Sequence, residues 1–256
     1  MSEVGRAGGA GAEKLGYLGL GMMGFPMTRR LINAGYDVTV WNRSPGKAKA
    51  LIEAGARLAP QPRDVAATAD IIFMCLTDAA AVDEVVFGPG GLATVTGRGK
   101  LVVDFSSIHP DAARSIAARL KTANGIGWID APVSGGTKGA EEGTLAVMAG
   151  GNAADIEKVR PYILAMARRL THMGPPGAGQ TTKLCNQVVV GCAMGVGVGS
   201  VMRVQADRLA AHLASSPRPT FACSVIGAAF SVSSDRLVSI SIWSSTAASA
   251  PTRSIS

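Results

Sequence analysis

The sequence predicts a doubly wound α/β sheet, and three observations predict it. An apolar run, Tyr17-Leu18-Gly19-Leu20, turns on Gly19-x-Gly21-x-x-Gly24 and enters a segment with helical spacing. Runs such as Ile71-Ile72-Phe73-Met74-Cys75-Leu76 and Leu101-Val102-Val103-Asp104-Phe105 are apolar almost throughout, the pattern of strands covered on both faces of a parallel sheet. Segments of helical period separate these runs, so strand and helix alternate along the chain.

Taken in order, residues 14–20 read as the first strand. Residues 22–33 follow as a helix, with Met23, Met27, Leu31 and Ala34 at helical spacing before Gly35. Residues 37–42 form the next strand, which completes a βαβ unit. In such a unit the first glycine permits the tight turn, the second lets backbone approach a pyrophosphate, and the third lets helix and strand pack closely. Gly19, Leu20, Gly21, Met22, Met23 and Gly24 are therefore the candidate phosphate cradle of a Rossmann-type dinucleotide site.

Ser44-Pro45 predicts a capped helix reaching about Ala54, ended by Gly55. A short helix is expected over 64–69, a strand over 71–76, and a helix after Thr77-Asp78. A strand over 101–105, a helix over 110–121, short strands over 128–130 and 145–149, and a helix over 153–167 complete the alternation.

Composition narrows the function classes. The hydrophobic content of 47% suits a folded protein, and no apolar run approaches the ~20 residues of a membrane span. The N-terminus lacks a hydrophobic signal segment, and Glu3 and Glu13 count against an organellar leader, so a cytoplasmic location is expected, with organellar targeting as the alternative. Cys75, Cys185, Cys192 and Cys223 form no CxxC pair and no Cys/His cluster, which argues against a metal site and a disulfide framework. The net charge of +7 is scattered, with no Lys/Arg run interleaved with aromatics, so it points to small anionic ligands rather than nucleic acid.

Ligands of doubly wound sheets sit beyond the carboxyl ends of the strands, which directs attention to Asn42-Arg43-Ser44, Thr77-Asp78, Ser106-Ser107 and the loop from Asp130. A NAD-type site places a carboxylate after the second strand to take the ribose 2′-hydroxyl. Here Asn42, Arg43 and Ser44 stand there, a fork and a hydroxyl suited to a 2′-phosphate, so NADP(H) is expected over NAD(H). A solvated surface arginine is the plainer alternative.

Two later segments carry further chemistry. In the loop over 130–140, Ser134, Gly135 and Gly136 offer a hydroxyl and bare amides that can clasp a carboxylate, although a glycine pair is more commonly an ordinary turn. In residues 177–187, Lys183, Asn186 and Gln187 fall at i, i+3 and i+4 on one helix face. Among Leu184, Val188, Val189 and Val190, a desolvated Lys183 suits general acid/base work, while a snorkelling surface lysine is the alternative.

Three motifs in order resemble the β-hydroxyacid dehydrogenases: Gly19 to Met27, Asp130-Ala131-Pro132-Val133-Ser134-Gly135-Gly136 with Gly139-Ala140 and Gly143-Thr144-Leu145, and Gly177 to Gln187. The similarity is greatest to the glyoxylate/succinic semialdehyde and tartronate semialdehyde reductases, near 3-hydroxyisobutyrate dehydrogenase. The 6-phosphogluconate dehydrogenases share the first motif and the lysine. This resemblance implies hydride transfer between NADPH and a small carboxylate-bearing semialdehyde or β-hydroxyacid, with Lys183 as the acid/base. It implies that Ser134, Gly135 and Gly136 anchor the substrate carboxylate, that Asn186 and Gln187 position substrate, and that Cys75, Leu76 and Ser107 line the nicotinamide side.

The family continues into a helical domain that closes over substrate and builds the homo-oligomer. After Val190 this sequence departs from that pattern: Gly191, Gly195, Gly197 and Gly199 weaken a helix by ~1 kcal/mol each. Residues 203–214 regain helical character, and from Ser215 the chain is serine-rich with no 3.6-residue period. The expected organisation is an unstructured leader over 1–13, an NADP-binding Rossmann domain over 14–176, an interdomain helix with a remnant of the helical domain over 177–214, and an atypical tail over 215–256. A truncated helical domain argues against the family's dimer and leaves a non-catalytic NADP-binding module as the alternative function.

Overall fold

The computed structural model describes residues 13–193, 220–223, 228–232 and 238–242. Residues 1–12 of the leader expected over 1–13, the helical character expected over 203–214 and most of the tail lie outside these residues. The first βαβ unit follows the predicted order: β1 (Leu15–Leu18), α1 (Gly24–Asn33) and β2 (Val38–Trp41). Then come α2 (Lys49–Glu53), β3 (Arg57–Leu58), α3 (Pro62–Thr68), β4 (Ile71–Met74), α4 (Ala79–Phe87), β5 (Leu101–Asp104), α5 (Pro110–Asn124) and β6 (Gly127–Asp130).

The parallel strands lie in the order β3-β2-β1-β4-β5-β6. Chain order therefore reverses between β1 and β4, and this is where a doubly wound sheet opens a crevice beyond its strand ends. Beyond β6, β7 (Val133–Ser134), α6 (Gly136–Glu142), β8 (Leu145–Gly150), α7 (Ala153–Met166) and β9 (Ala167–Gly174) extend the sheet, with β8 antiparallel to β6 and β7 and parallel to β9.

Alternate strand residues feed two cores. Tyr17, Phe73, Val103 and Ile129 face Met27 and Leu31 of α1 and Ile156, Val159 and Ile163 of α7, whereas Leu18, Ile72, Met74 and Val102 face Val65, Val82, Val86, Ile116 and Leu120 on the other side. This two-sided burial explains the unbroken apolar runs of the central strands. Tyr17, Phe73 and Phe105 form a ring row across β1, β4 and the end of β5, with centroids 6.1 and 5.8 Å apart.

Several local expectations needed correction. Ser44 makes no side-chain cap, and Pro45 opens a 3₁₀ turn (Pro45–Ala48) before the short α2. The helix expected from residue 64 begins at Pro62, with the Gln61 N–H donating to the Asp64 carboxylate at 3.1 Å. The 130–140 stretch is not one loop, since it supplies β7 and most of α6. Within the expected tail, β10 (Thr220–Cys223), β11 (Ala228–Val232) and β12 (Val238–Ile242) form a separate antiparallel sheet.

The chain divides into two compact units after Lys183. The division falls inside α8 (Ala178–Ala193), so Lys183 ends the first unit, while Asn186 and Gln187 lie in the second on the same helix. Among the described residues no helix is long and apolar enough to cross a membrane, and no group of His, Cys, Asp and Glu is arranged to hold a metal.

Candidate active site

The glycine turn has the geometry its chemistry requires. Gly19 takes φ +92°, and a Cβ there would lie 2.3 Å from the Cys75 carbonyl oxygen. A Cβ on Gly24 would lie 1.9 Å from the Gly19 carbonyl oxygen, so α1 starts against the turn only because both residues lack side chains. At Gly21 an added Cβ would meet nothing within 4 Å, which leaves the backbone open to an incoming group. No side chain caps α1, so the positive end of its dipole is left for an anion, although the Phe25 N–H already donates to the Gly21 carbonyl at 3.0 Å and Pro26 has no N–H to offer. These features fit a dinucleotide pyrophosphate.

The turn borders a cleft of about 450 Å³. Gly19, Gly21, Met22, Met23 and Gly24 line it from β1 and α1, Asn42, Arg43 and Ser44 from the end of β2, and Cys75 and Leu76 from the end of β4. Leu20 and Ser107 are not among the lining residues: the Leu20 side chain is buried, and Ser107 is exposed after β5. The Leu20 amide donates to Asn42 Oδ1 at 2.8 Å, and Asn42 Nδ2 donates to the Ser44 carbonyl at 3.0 Å. Asn42 thus ties the glycine turn to the loop after β2.

The cleft also draws in residues that motif reading missed. Trp41 closes β2 beside the expected Asn42, and Lys47 adds a second cation four residues after Arg43. The position of Lys47 in the turn behind Ser44 was the available signal. Asp78 caps α4 by accepting from the Ala81 N–H at 2.9 Å. That bond, then the Thr77 hydroxyl, and to a smaller extent Arg43, hold its carboxyl below the usual range.

Cys75 is no nucleophile at neutral pH. Burial, reinforced by Asp104, pushes its thiol up to about 12. Neither Cys75 nor Cys185 is in a disulfide. The side chains of Cys192 and Cys223 lie outside the described residues.

The remaining candidates are not among the residues that line this cleft. Ser134 is half-buried at the end of β7, and Gly135 and Gly136, exposed and at φ +132° and +62°, open α6 without a side-chain cap. Lys183 is half-buried on α8, and burial pushes its ammonium below the ordinary lysine range.

Two buried carboxyls in register at the ends of β5 and β6, Asp104 and Asp130, were not singled out as site residues from sequence. Asp130 accepts the Gly177 N–H at 2.6 Å and the Gln180 N–H at 2.9 Å, capping the start of α8. Burial nonetheless raises Asp130 to about 6 and Asp104 to about 7, against hydrogen bonds that lower both. Asp104 Oδ1 accepts the Ser106 N–H, while its Oδ2 makes no hydrogen bond.

A glycine turn at the sheet's switch point, an uncapped helix start and a cation-lined strand end define a dinucleotide-binding α/β module. Residues 14–174 match the NAD binding domain of 6-phosphogluconate dehydrogenase. The chain belongs to this family, as a β-hydroxyacid dehydrogenase-like member. It is 42% identical over 188 residues to an uncharacterized oxidoreductase of Shewanella frigidimarina, covering 73% of this chain and 64% of that one. It is 41% identical over 177 residues to the 2-hydroxy-3-oxopropionate reductase of Escherichia coli, covering 69% and 60%. The structure of Mycobacterium tuberculosis 3-hydroxyisobutyrate dehydrogenase with L-serine is similar at a TM-score of 0.66 and 32% identity, over 80% of this chain and 67% of that one. The chain spans less than two thirds of the length of either of these curated relatives.

Proposed function

We propose that this chain is an NADPH-dependent reductase of small carboxylate-bearing semialdehydes, of the glyoxylate, succinic semialdehyde or tartronate semialdehyde type, acting in reverse on β-hydroxyacids. The observation that carries the reading is the cleft in which the glycine turn faces Arg43, Ser44 and Lys47, with Asn42 where a NAD-type site has its carboxylate. Similarity to a 2-hydroxy-3-oxopropionate reductase supports the substrate class.

The turn backbone and the start of α1 would hold the pyrophosphate. Arg43 and Lys47 would pair with the 2′-phosphate, where an arginine fork adds directional bonds to the charge. Leu76, Cys75 and Ser107 are assigned to the nicotinamide side. When bound, NADPH supplies the hydride that reduces the aldehyde carbon. The Ser134 hydroxyl and the amides of Gly135 and Gly136 would hold the substrate carboxylate, with Asn186 and Gln187 orienting the rest. Lys183 would give its proton to the nascent alkoxide oxygen and recover it from solvent. Its lowered pKa suits that transfer, since the best acid lies near the working pH.

Steady-state oxidation of NADPH in the presence of glyoxylate, succinic semialdehyde and tartronate semialdehyde tests the proposal. The expected result is turnover with at least one of them, dependent on both components. Tight NADPH binding without oxidation by any of the three would instead identify a non-catalytic NADP-binding module.

A further inference from the structure

Gln180 is 2% exposed and lies one helical turn before Lys183. Its side-chain amide grips the backbone on either side of Ser107: Nε2 donates to the Ser106 carbonyl at 2.6 Å, and Oε1 accepts the Ile108 N–H at 3.2 Å. A carbonyl and an N–H two residues apart are what an extended strand offers its neighbour, so the Gln180 amide acts as a one-residue strand partner for the 106–108 segment. Ser106 in turn accepts the Leu76 N–H on its hydroxyl at 2.8 Å, and the Gln180 N–H is held by Asp130. One side chain therefore joins the start of the lysine helix to the loop carrying Ser107 and, through Ser106, to Leu76.

We propose that Gln180 is a positioning residue that holds Lys183 and the Ser107 loop in fixed mutual register, coupling the proton donor to the nicotinamide wall. The inference rests on the reductase reading for its catalytic consequence, and on the hydrogen-bond geometry for the coupling itself. A buried amide that satisfies two backbone groups cannot be replaced by an apolar chain without orphaning both.

The test compares Gln180→Met, which removes both bonds, with Gln180→Glu, which keeps the acceptor for Ile108 and loses the donor to Ser106. In the full-length protein, Gln180→Met is expected to speed amide exchange at Ile108 and through residues 177–183 together by at least about tenfold. The rate of Lys183 acylation by an amine-reactive reagent is expected to change in both variants, while NADPH affinity stays within about threefold. In Gln180→Glu, Ile108 should keep its protection. Turnover should fall about tenfold or more in kcat with little change in KM for the semialdehyde.

Faster exchange confined to Ile108, with Lys183 reactivity and kcat unaltered in both variants, would overturn the proposal. So would a parallel loss of NADPH affinity, kcat and Tm, which would make Gln180 a general structural residue. Should Gln180→Met not fold, the Gln180→Glu comparison of Lys183 reactivity decides alone. A wild-type protein without turnover would defeat the reductase reading, yet the exchange and acylation comparison would still accept or reject the coupling.

Discussion

Lys183 is the side chain on which the proposed proton transfer falls. Its ammonium is half-buried, and desolvation lowers its pKa from the ordinary lysine value. As the proposed donor in the reducing direction it would have to carry its proton, so the rate of reduction should fall as pH rises through that lowered pKa, at a pH below the normal lysine titration. Lys183→Ala should reduce kcat by about 10²–10⁴-fold while leaving NADPH binding within about threefold. A pH–rate profile and a fluorescence titration of the same preparations check both statements. Undiminished turnover in Lys183→Ala would remove the residue from the reaction.

Among the elements, the turn between β1 and α1 has the least tolerance for change. Gly24→Ala puts a Cβ where the Gly19 carbonyl stands, a rigid backbone contact that can only be relieved by moving the turn or the helix. The expected cost is about 1–3 kcal/mol of stability together with at least tenfold weaker NADPH binding, read by denaturant unfolding and titration. Normal stability and affinity would show that the close approach is unimportant.

This element was legible in the sequence because its glycines, its apolar strand and its helical period all point the same way. The central strands were legible for a similar reason, as Ile71 to Met74 and Leu101 to Val103 are buried on both faces. The misses have physical causes. In β9 the run Ala167-Arg168-Arg169-Leu170 departs from a period of two, with both arginines exposed, and a two-residue strand such as β7 leaves almost no pattern. Ser44 followed by Pro45 has the composition of a helix start, yet the backbone adopts a 3₁₀ turn there without the serine cap. Gln180 was missed as a site residue because its side-chain hydrogen bonds depend on which distant segment the fold brings beside it.

For the molecule as a whole, stability is tied to pH through the carboxyls buried at adjoining strand ends. Asp104 and Asp130 are raised to about 7 and about 6, so each binds its proton more tightly folded than unfolded. They add stability below an unfolded pKa of about 4, and that contribution is lost as pH climbs through 6 and 7. Tm should therefore decline from mildly acidic to neutral pH. Asp104→Asn, which cannot ionise, should flatten that decline, and an unchanged slope would show that Asp104 does not titrate in this range. The fold accepts such groups where α8 is fastened to the sheet, since Asp130 caps that helix at its start.

The proposed preference for a 2′-phosphate rests on the cleft that Arg43, Ser44 and Lys47 share with the glycine turn. Parallel calorimetric titrations of NADPH and NADH into the wild-type chain and into Arg43→Ala test it directly. The predicted result is NADPH binding at least about tenfold tighter than NADH in the wild type, with Arg43→Ala weakening NADPH by about 10–100-fold and NADH by no more than about threefold. Equal affinity for the two cofactors, or a preference that survives unchanged in Arg43→Ala, would contradict it.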